Sequence, residues 1–391
     1  ILAGSTVLSF VNMVISREDR AMVKERYKKQ QIGSFFGEWV YDRVVPQNHF
    51  LRKLEEIVPW ERFTDQLVQF YAGGAMYGRP PYDPAVMLKM LLIAYLYDLS
   101  ERAAEQQIND SFAMKWFLGL AVDEPAPHHS TLTKFRQRLL QNGNGDALEQ
   151  MLETIVYLAQ EKGVQFGAIQ VIDSVHTIAD VNTAKEDGRK KKGKPPRDGD
   201  AAWGVKHTKR ERDEQGKPVE RRQYFHGYKA HVSMNTGSDL ITSLGVTPGN
   251  AYDGHRLPEL VESDLRRELP IATVTADRAY DDGENHYLLA TKGIHSAIIL
   301  NAYRTQKKDS NKEIWQDLLA SEPYQAGIRE RYKIERKFGE AKQGHGLGRC
   351  RYLGIDGYRM QAYLTAIALN LKRMVRLLTN TSFRGRATAC A

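Results

Sequence analysis

The pattern of hydrophobic and polar positions divides the chain into a helical first part and a sheet-forming second part. Residues 47–163 predict a series of α-helices. The most apolar is YDPAVMLKMLLIAYLYDLS, where Asp83 is expected to cap the N-terminus and Pro84 to take the first helical position. Ser100 is expected to begin a second, short helix, and SFAMKWFLG predicts the next one. The first part is therefore expected to be all-α.

The last helix of this part, HHSTLTKFRQRLL, has one apolar and one polar face. Its apolar stripe consists of Leu132, Phe135 and Leu139. Ser130 is the expected N-cap, and Lys134 and Arg136 lie on the polar face. Two interpretations stay open. The segment is either the DNA-reading helix of a helix-turn-helix-like unit, with Lys134 and Arg136 contacting DNA, or an amphipathic helix in a bundle. The residues alone slightly favour the bundle.

From residue 167 onward, short apolar and β-branched runs replace the helical pattern. AIQVIDSV predicts a first strand, and RRQYFHGYKAHVSMN and LITSLGVTPGN predict two strands joined by the turn TGSD. IATVTAD and SAIIL predict two more strands, which alternate with helices in HRLPELVESDLRREL and GENHYLLATKG. Three strands with a hairpin, followed by alternating helices and strands, predict a mixed α/β sheet.

Two further helices, RERYKIERKFGEAKQG and YRMQAYLTAIALNLKRMVRLL, follow the predicted strands. The apolar positions of the second one recur at alternating steps of four and three. They are Met360, Leu364, Ile367, Leu371, Met374 and Leu378. We expect this seam to pack within the monomer. The predicted organisation is an N-terminal extension (1–40), a helical domain (41–165), an α/β domain (166–378) and a tail (379–391).

Basic charge is concentrated in two segments of a chain whose formal net charge is +8. Residues 185–222 carry 14 Lys and Arg against 8 Asp and Glu, and residues 329–376 carry 12 against 4. The rest of the chain is acidic, so this distribution suits either a nucleic-acid surface or two solvated faces. The Gly, Pro and Lys content of residues 185–200 predicts that the basic segment 185–222 is a mobile loop. Lys190, Lys191 and Lys192 are candidates for phosphate contacts there, although most such loops have no specific role.

Cysteine content and apolar run lengths indicate the compartment. Cys350 and Cys390 are the only cysteines, which excludes a disulfide framework and fits a reducing cytosol. No run approaches the length of a membrane span, and the apolar N-terminus lacks the basic residues of a signal peptide. We therefore expect a cytoplasmic protein. Because the chain starts with Ile, residues 1–12 could lie outside the natural product.

Two predicted strands end in an acidic residue, Asp173 in QVIDSV and Asp277 in TVTAD. If the strands are neighbours, both carboxylates lie near one end of the sheet, where they repel each other unless a cation lies between them. A hard divalent ion such as Mg²⁺ prefers such oxygen ligands. Taken singly, Asp173 could equally be a strand-end cap, and Asp277 could begin an Asx-turn.

A third acidic ligand is expected from a nearby element. Glu335 lies at the edge of the apolar stripe of its helix, and Arg331 and Lys342 lie on the same flank. Such a carboxylate among cations suits a site where metal and phosphate meet, although an ion pair with Arg331 is the alternative. Four further acids are interpreted as loop residues: Asp180, Asp253, Asp281 and Asp282.

Over residues 41–378 the sequence resembles the DDE transposases of bacterial insertion sequences, in the insertion-sequence-five-like and insertion-sequence-four-like group. VIDSV and TADRAYDD resemble the segments with the two Asp residues, FHGYKAHV the second strand, and RYKIERKFGEAK the Glu helix. The family spacing of Tyr, two residues, Arg, three residues, Glu, six residues and Lys fits Arg331, Glu335 and Lys342. Ile328 stands at the Tyr position, which weakens one phosphate-contacting role.

The resemblance implies a ribonuclease-H-like catalytic domain preceded by an all-α domain, with no large β-domain inserted in residues 301–327. It implies that Asp173, Asp277 and Glu335 hold two Mg²⁺ ions, for which Mn²⁺ can substitute. The implied reaction is strand cleavage at the element ends followed by joining of the 3′-hydroxyl to target DNA, with Arg331 and Lys342 holding phosphates.

The resemblance also implies partners. These are double-stranded DNA, as terminal inverted repeats and as target, and a second copy of the chain in a homodimer on DNA. The location implied is the bacterial cytoplasm, in association with the nucleoid. Two alternatives stay open, a DNA-binding derivative without catalytic activity and a metal-dependent nuclease that cuts without joining.

Histidines could indicate a different metal chemistry. The pairs His128 and His129, and His226 and His231, lack the HExxH or Cys-rich spacing of zinc sites. We therefore expect these side chains to be solvated or hydrogen-bonded.

Overall fold

The computed structural model describes residue 27 and residues 35–68, 81–141, 146–212, 218–306 and 311–383. The expectations for residues 1–12 and for Cys390 lie outside these residues. The helices of the first part are α1 (Phe35–Val44), α2 (Phe50–Ile57), α3 (Glu61–Leu67), α4 (Pro84–Leu96), α5 (Glu101–Asp110), α6 (Phe112–Leu118), α7 (His129–Gln141) and α8 (Asp146–Glu161).

The helix starts follow the predicted capping residues in two of three cases. The Asp83 side chain accepts a hydrogen bond from the Ala85 backbone N–H (2.8 Å), and the Ser100 side chain accepts one from Ala103 (3.1 Å). These two caps are confirmed. The third was wrong, because α7 begins at His129 and Ser130 lies inside its first turn.

The second part contains one mixed sheet and seven helices among the described residues. The strands are β1 (Ile169–Ile178), β2 (Ala202–Arg212), β3 (Pro218–Asn235), β4 (Ile241–Pro248), β5 (Thr273–Ala276) and β6 (His295–Ile298). The helices are α9 (Thr183–Lys191), α10 (Leu257–Arg266), α11 (Gly283–Thr291), α12 (Lys312–Ala320), α13 (Glu322–Glu330), α14 (Tyr332–Gly344) and α15 (Ile355–Thr379).

The sheet has the order expected of a ribonuclease-H-like fold. β1 pairs with β3 antiparallel and with β5 parallel, β5 pairs with β6 parallel, and the second half of β3 pairs with β4 antiparallel. The central strands therefore lie in the order β4-β3-β1-β5-β6. The predicted α/β class, with a mixed sheet and an all-α region before it, is confirmed.

The prediction of a loop over residues 185–222 was wrong, because most of this segment is regular structure. Asn182 caps α9 by accepting from the Lys185 N–H (3.1 Å), and the cations Arg189, Lys190 and Lys191 occupy the last turn, where the helix dipole favours them. The segment then enters β2, which pairs antiparallel with residues 218–227 at the start of β3.

The helical region and one face of the sheet share a single hydrophobic core. Every residue of α4 is buried, and Lys89 within it forms an ion pair with Glu55 (2.7 Å). The last helix, α15, packs against α4 and α8 on one side and β4 on the other, and its predicted apolar seam faces them. The expected boundary at residues 165/166 therefore does not separate two cores.

The chain between β6 and the Glu335 helix contains more helix than predicted. α12 and α13 occupy it, and α13 packs against β5 and β6. Contact is close at Gly327, where a Cβ would lie 2.5 Å from the Ala297 Cβ. The described residues of 301–327 include no strand, as expected. The predicted helix from residue 329 is divided, because α14 begins after Arg331.

None of the helices in the described ranges has the length and apolarity that a bilayer span requires.

Candidate active site

Asp173 and Asp277 lie side by side because of the parallel register of β1 and β5. The last residue pair of these strands is Ile172 with Ala276, so the next residue on each strand is an aspartate. β5 ends there, as predicted, but β1 continues to Ile178. Asp173 therefore lies within β1 and not at its end. Its neighbour across the sheet is Asp277, the first residue after β5.

The two carboxylates destabilise each other's charge. Burial, followed by the negative charge of Asp277, raises the pKa of Asp173 from 3.8 to about 7. Burial also raises the pKa of Asp277, although its side chain accepts a hydrogen bond from the Ala279 backbone N–H (2.9 Å). Two adjacent carboxylates in this state form a donor set that fits a hard divalent cation, because a cation would relieve the repulsion.

Arg331 links Glu335 to Asp173 of this pair. The Arg331 Nη2 atom lies 2.6 Å from a Glu335 carboxylate oxygen, and its Nη1 atom lies 3.8 Å from Asp173 Oδ2. The Glu335 side chain is 56% exposed, against 17% for Asp173. Within the described residues, the carboxylates of Asp173, Asp277 and Glu335 are not among the groups whose ligand atoms all lie within 4.8 Å of one another.

Asp253, interpreted from sequence as a loop residue, belongs to this site instead. It begins a short 3₁₀ helix after β4, accepts a hydrogen bond from Ser174 Oγ (3.0 Å) and forms an ion pair with Lys229 Nζ (2.8 Å). Its charge contributes to the raised pKa of Asp173 and Asp277. Ser174 and Lys229 were also missed, since they join the site through their contacts with Asp253, which residue spacing does not show.

The other acids interpreted as loop residues have structural partners. Asp281 is buried and binds Arg304 (2.6 Å), Asp282 caps α11 by accepting from the Glu284 N–H (3.2 Å), and Asp180 pairs with Arg349 (3.0 Å).

Lys342, on α14, interacts electrostatically with Lys206 of β2. Burial, followed by the charge of Lys206, lowers the pKa of Lys342. His176, on the same strand as Asp173, has its pKa lowered to about 4 by burial and then by Lys342, Lys206 and Lys229. Positive charge from three elements therefore converges on His176, three residues along β1 from Asp173, which suits a phosphate-bearing ligand.

The expected DNA-contacting side chains of α7 differ in their surroundings. Lys134 is exposed, whereas Arg136 Nε binds Glu101 (2.6 Å) and its guanidinium lies 4.0 Å from the centre of the Tyr352 ring. Arg136 is therefore already engaged by α5 and by the segment before α15. Lys190, Lys191 and Lys192 are exposed at the end of α9.

A second cluster of possible ligands lies at the start of α7. Among the residues described, Glu105, His128 and His129 form the one His, Cys, Asp and Glu group with its ligand atoms within 4.8 Å. Glu105 Oε2 accepts from the His129 backbone N–H (2.7 Å) and lies 2.6 Å from His129 Nδ1. This carboxylate caps the helix, and the positive end of the helix dipole disfavours a cation there.

A ribonuclease-H-like sheet with two carboxylates at its centre defines a class of enzymes that act on phosphodiester bonds. The chain matches two family models, the Transposase domain (DUF772) over residues 39–138 and the Transposase DDE domain over residues 188–371. Together they match 284 of the 391 residues. The chain belongs to the DDE transposases, which are enzymes of DNA transposition, and membership implies the use of a divalent metal ion. Asp277 and Glu335 lie within the DDE match, and Asp173 lies before it.

Among solved structures, the chain is similar to the "Mos1 transposase paired-end complex with left transposon end" at 12% identity, over 73% of this chain and 86% of that one, with a TM-score of 0.20. It is also similar to "a pre-cleavage Mos1 transpososome" at 11% identity, over 80% of this chain and 83% of that one, with a TM-score of 0.18. Scores this low define no residue correspondences.

Proposed function

We propose that the protein cleaves DNA strands at the ends of its own transposable element and joins the freed 3′-hydroxyls to target DNA. The observation that supports this most strongly is the adjacent placement of Asp173 and Asp277 at the centre of a ribonuclease-H-like sheet. Both acids are partly buried and have a raised pKa, as expected for a carboxylate pair that binds a cation.

Asp173, Asp277 and Glu335 are the residues that would hold the metal. Two Mg²⁺ ions, or Mn²⁺ in their place, would supply activation of the attacking hydroxyl and charge stabilisation at the leaving oxygen. For Glu335 to join them, Arg331 must release it. The guanidinium of Arg331 is then available for a phosphate oxygen, which it can bind with two parallel hydrogen bonds.

The surrounding cations are proposed to hold the DNA. Lys342, whose charge acts on His176 in the same strand as Asp173, is the proposed contact to a phosphate next to the scissile bond. Lys190, Lys191 and Lys192, with the exposed Lys134, would add affinity that depends on salt and not on sequence. Arg136 stays in the DNA-contacting set only if α5 releases it.

We also infer that the protein acts as a homodimer, because two element ends must be cut and joined together. We further propose that it acts in the bacterial cytoplasm, at the nucleoid, where its DNA substrate would be. Light scattering with and without end DNA tests the assembly, and a monomer that pairs two ends would contradict it.

The central test is a cleavage and joining assay on DNA that carries the inverted repeats flanking the gene. Wild type, Asp277→Asn and the matched control Asp282→Asn are compared with Mg²⁺. Since Asn also caps helices well, the control should preserve the fold at α11. We expect cut and joined products from wild type and the control, and a loss of roughly 1,000-fold in Asp277→Asn.

Three outcomes would revise the proposal. Equal activity of wild type and Asp277→Asn would remove the catalytic assignment. Cut ends without joined species would indicate a nuclease, and DNA binding without cleavage by wild type would indicate an inactive derivative.

A further inference from the structure

The hairpin of β2 and β3 extends beyond the body of the sheet. Residues 228–235 of β3 lie between β1 and β4, whereas residues 218–226 pair with β2 only and Gly227 pairs with both β1 and β2. We call residues 202–212 and 218–227 the ribbon. At about 3.3 Å per residue, it spans roughly 30 Å.

One face of the ribbon carries an exposed apolar patch. Val205 pairs directly with Tyr224, and Trp203 pairs with His226, so all four side chains point to the same face. The exposed fractions are 57% for Trp203, 46% for Val205 and 56% for Tyr224. Large exposed apolar groups concentrated in this way mark a binding surface more often than isolated ones do.

The opposite face anchors the root of the ribbon to the protein. Phe225 is buried, and its ring lies 4.9 Å from the ring of His176. A Cβ at Gly204 would lie 2.3 Å from the Gly249 carbonyl oxygen, so only glycine permits this approach. The exposed patch therefore begins next to the strand that carries Asp173.

The ribbon is basic as well as apolar. Its two strands carry six Lys and Arg against two Glu, a net charge of +4. Lys206, Arg221 and Arg222 are exposed, and Arg222 pairs with Thr208 on the same face as the aromatic patch. This charge disfavours a second copy of the ribbon as the occupant, because two such surfaces would repel each other. It favours a polyanion.

We propose that the ribbon binds double-stranded DNA beside the cleavage point, with its aromatic face in the major groove and its cations on the flanking phosphates. The groove is about 12 Å wide and admits a two-stranded ribbon. A length of roughly 30 Å covers about nine base pairs at 3.4 Å each. The inference rests on the proposed function for the location of the cleavage point, but not for the binding itself.

Binding is tested without any chemistry. Fluorescence anisotropy with a labelled duplex of about 30 base pairs and unrelated sequence, in the presence of a chelator, compares wild type with Trp203→Ala and Tyr224→Ala. We expect about tenfold weaker binding for each and near-wild-type binding for Trp203→Phe. The matched control is Tyr287→Ala, whose side chain is 73% exposed on α11 at the opposite edge of the sheet.

Salt dependence separates the role of the cations. Lys206→Ala should reduce the slope of log affinity against log salt by about 0.9, the value for one phosphate contact, whereas Trp203→Ala should leave the slope unchanged. Equal affinities for wild type and all ribbon variants would overturn the inference. Loss of self-association in Trp203→Ala, with DNA affinity intact, would assign the patch to a second copy instead.

The inference and the proposed function fail separately. Asp277→Asn should bind the duplex as wild type does. If wild type never cleaves but the ribbon variants still weaken binding, the function is wrong and the ribbon assignment stands. If wild type cleaves while the ribbon variants bind and cleave normally, the proposed function stands and the ribbon assignment is wrong.

Discussion

Asp277 and Asp281 lie in the same short stretch after β5, yet their surroundings are opposite. Asp277 faces Asp173, and its pKa is raised. Asp281 is fully buried and bound by Arg304 (2.6 Å), His286 (3.0 Å) and the Asn301 backbone N–H (2.7 Å). Burial alone would raise the pKa of Asp281, but the bonds from His286 and Asn301 and the charge of Arg304 lower it.

The comparison shows how the surroundings of an acidic residue separate a structural role from a ligand-binding one. The protein neutralises Asp281 with its own cation, so that acid stabilises the folded chain. It leaves Asp173 and Asp277 with a net negative charge that Arg331 and Lys229 compensate only in part. The pair of Asp173 and Asp277 therefore lowers the stability of the folded protein until a cation from solution binds to it.

The largest expected effect is on the stability of the metal-free protein. Asp281→Asn leaves the Arg304 charge unpaired and should lower the free energy of unfolding by about 3 kcal/mol. Asp277→Asn removes a repulsion and should leave stability unchanged or raise it. Urea unfolding with a chelator measures both variants, and equal losses in the two would contradict the comparison.

Added Mg²⁺ should stabilise only the acidic pair. At a concentration a hundredfold above its dissociation constant, it should raise the unfolding free energy of wild type by about 2.7 kcal/mol. The same addition should stabilise Asp281→Asn equally and Asp277→Asn much less. Thermal melting across a Mg²⁺ series measures this, with Na⁺ at equal ionic strength as the control. A shift of the same size in Asp277→Asn would place the ion elsewhere.

The two acids should also differ in the sign of their pH dependence. The pKa of Asp173 is raised from 3.8 to about 7, so its contribution to stability is full below about pH 4 and is lost as pH rises towards 7. The pKa of Asp281 is lowered, so its contribution is full above about pH 4 and is lost at lower pH.

Comparison of metal-free wild type with Asp173→Asn isolates the first of these contributions. Their difference in unfolding free energy should change by on the order of 2 kcal/mol between pH 4 and 7, a value discounted for partial exposure. If this difference does not change between pH 4 and 7, the pKa of Asp173 is not raised in the folded protein.

The smallest effect is expected from a substitution of Asp253, which contacts Ser174 and Lys229 beside the acidic pair. Asp253→Asn retains an acceptor for Ser174 but weakens the ion pair with Lys229. We expect about tenfold more Mg²⁺ to be needed for half-maximal cleavage, as for other residues that orient metal ligands. A Mg²⁺ titration of cleavage decides, and an unchanged requirement would limit Asp253 to packing.

Sequence patterns were sufficient for most of the sheet because β1, β4, β5 and β6 are compact apolar runs between turns. β1, β5 and β6 lie where the pattern predicts them, and the turn at residues 236–239 joins β3 to β4. β2 was missed because its alternating charges resemble a solvated loop, and its partner strand lies across a segment outside the described residues. α9 was missed because its cap, Asn182, precedes a run of charge without apolar periodicity.

The site was only partly predictable for a different reason. Asp173 and Asp277 follow from strand order, because parallel neighbours place their next residues together. Asp253 is distant in sequence, follows no apolar pattern and becomes visible only through its bond to Ser174. The link from Glu335 through Arg331 depends on side-chain geometry, which residue spacing does not determine.

The position of α15 has a consequence for how the protein is made. This helix is among the last described elements, and it lies between α4, α8 and β4. A ribosome must therefore synthesise α15 before the helical region and the sheet can close on each other. A product that stops before Ile355 would expose both apolar surfaces, so premature termination should yield aggregated or degraded chains and not a stable DNA-bound competitor.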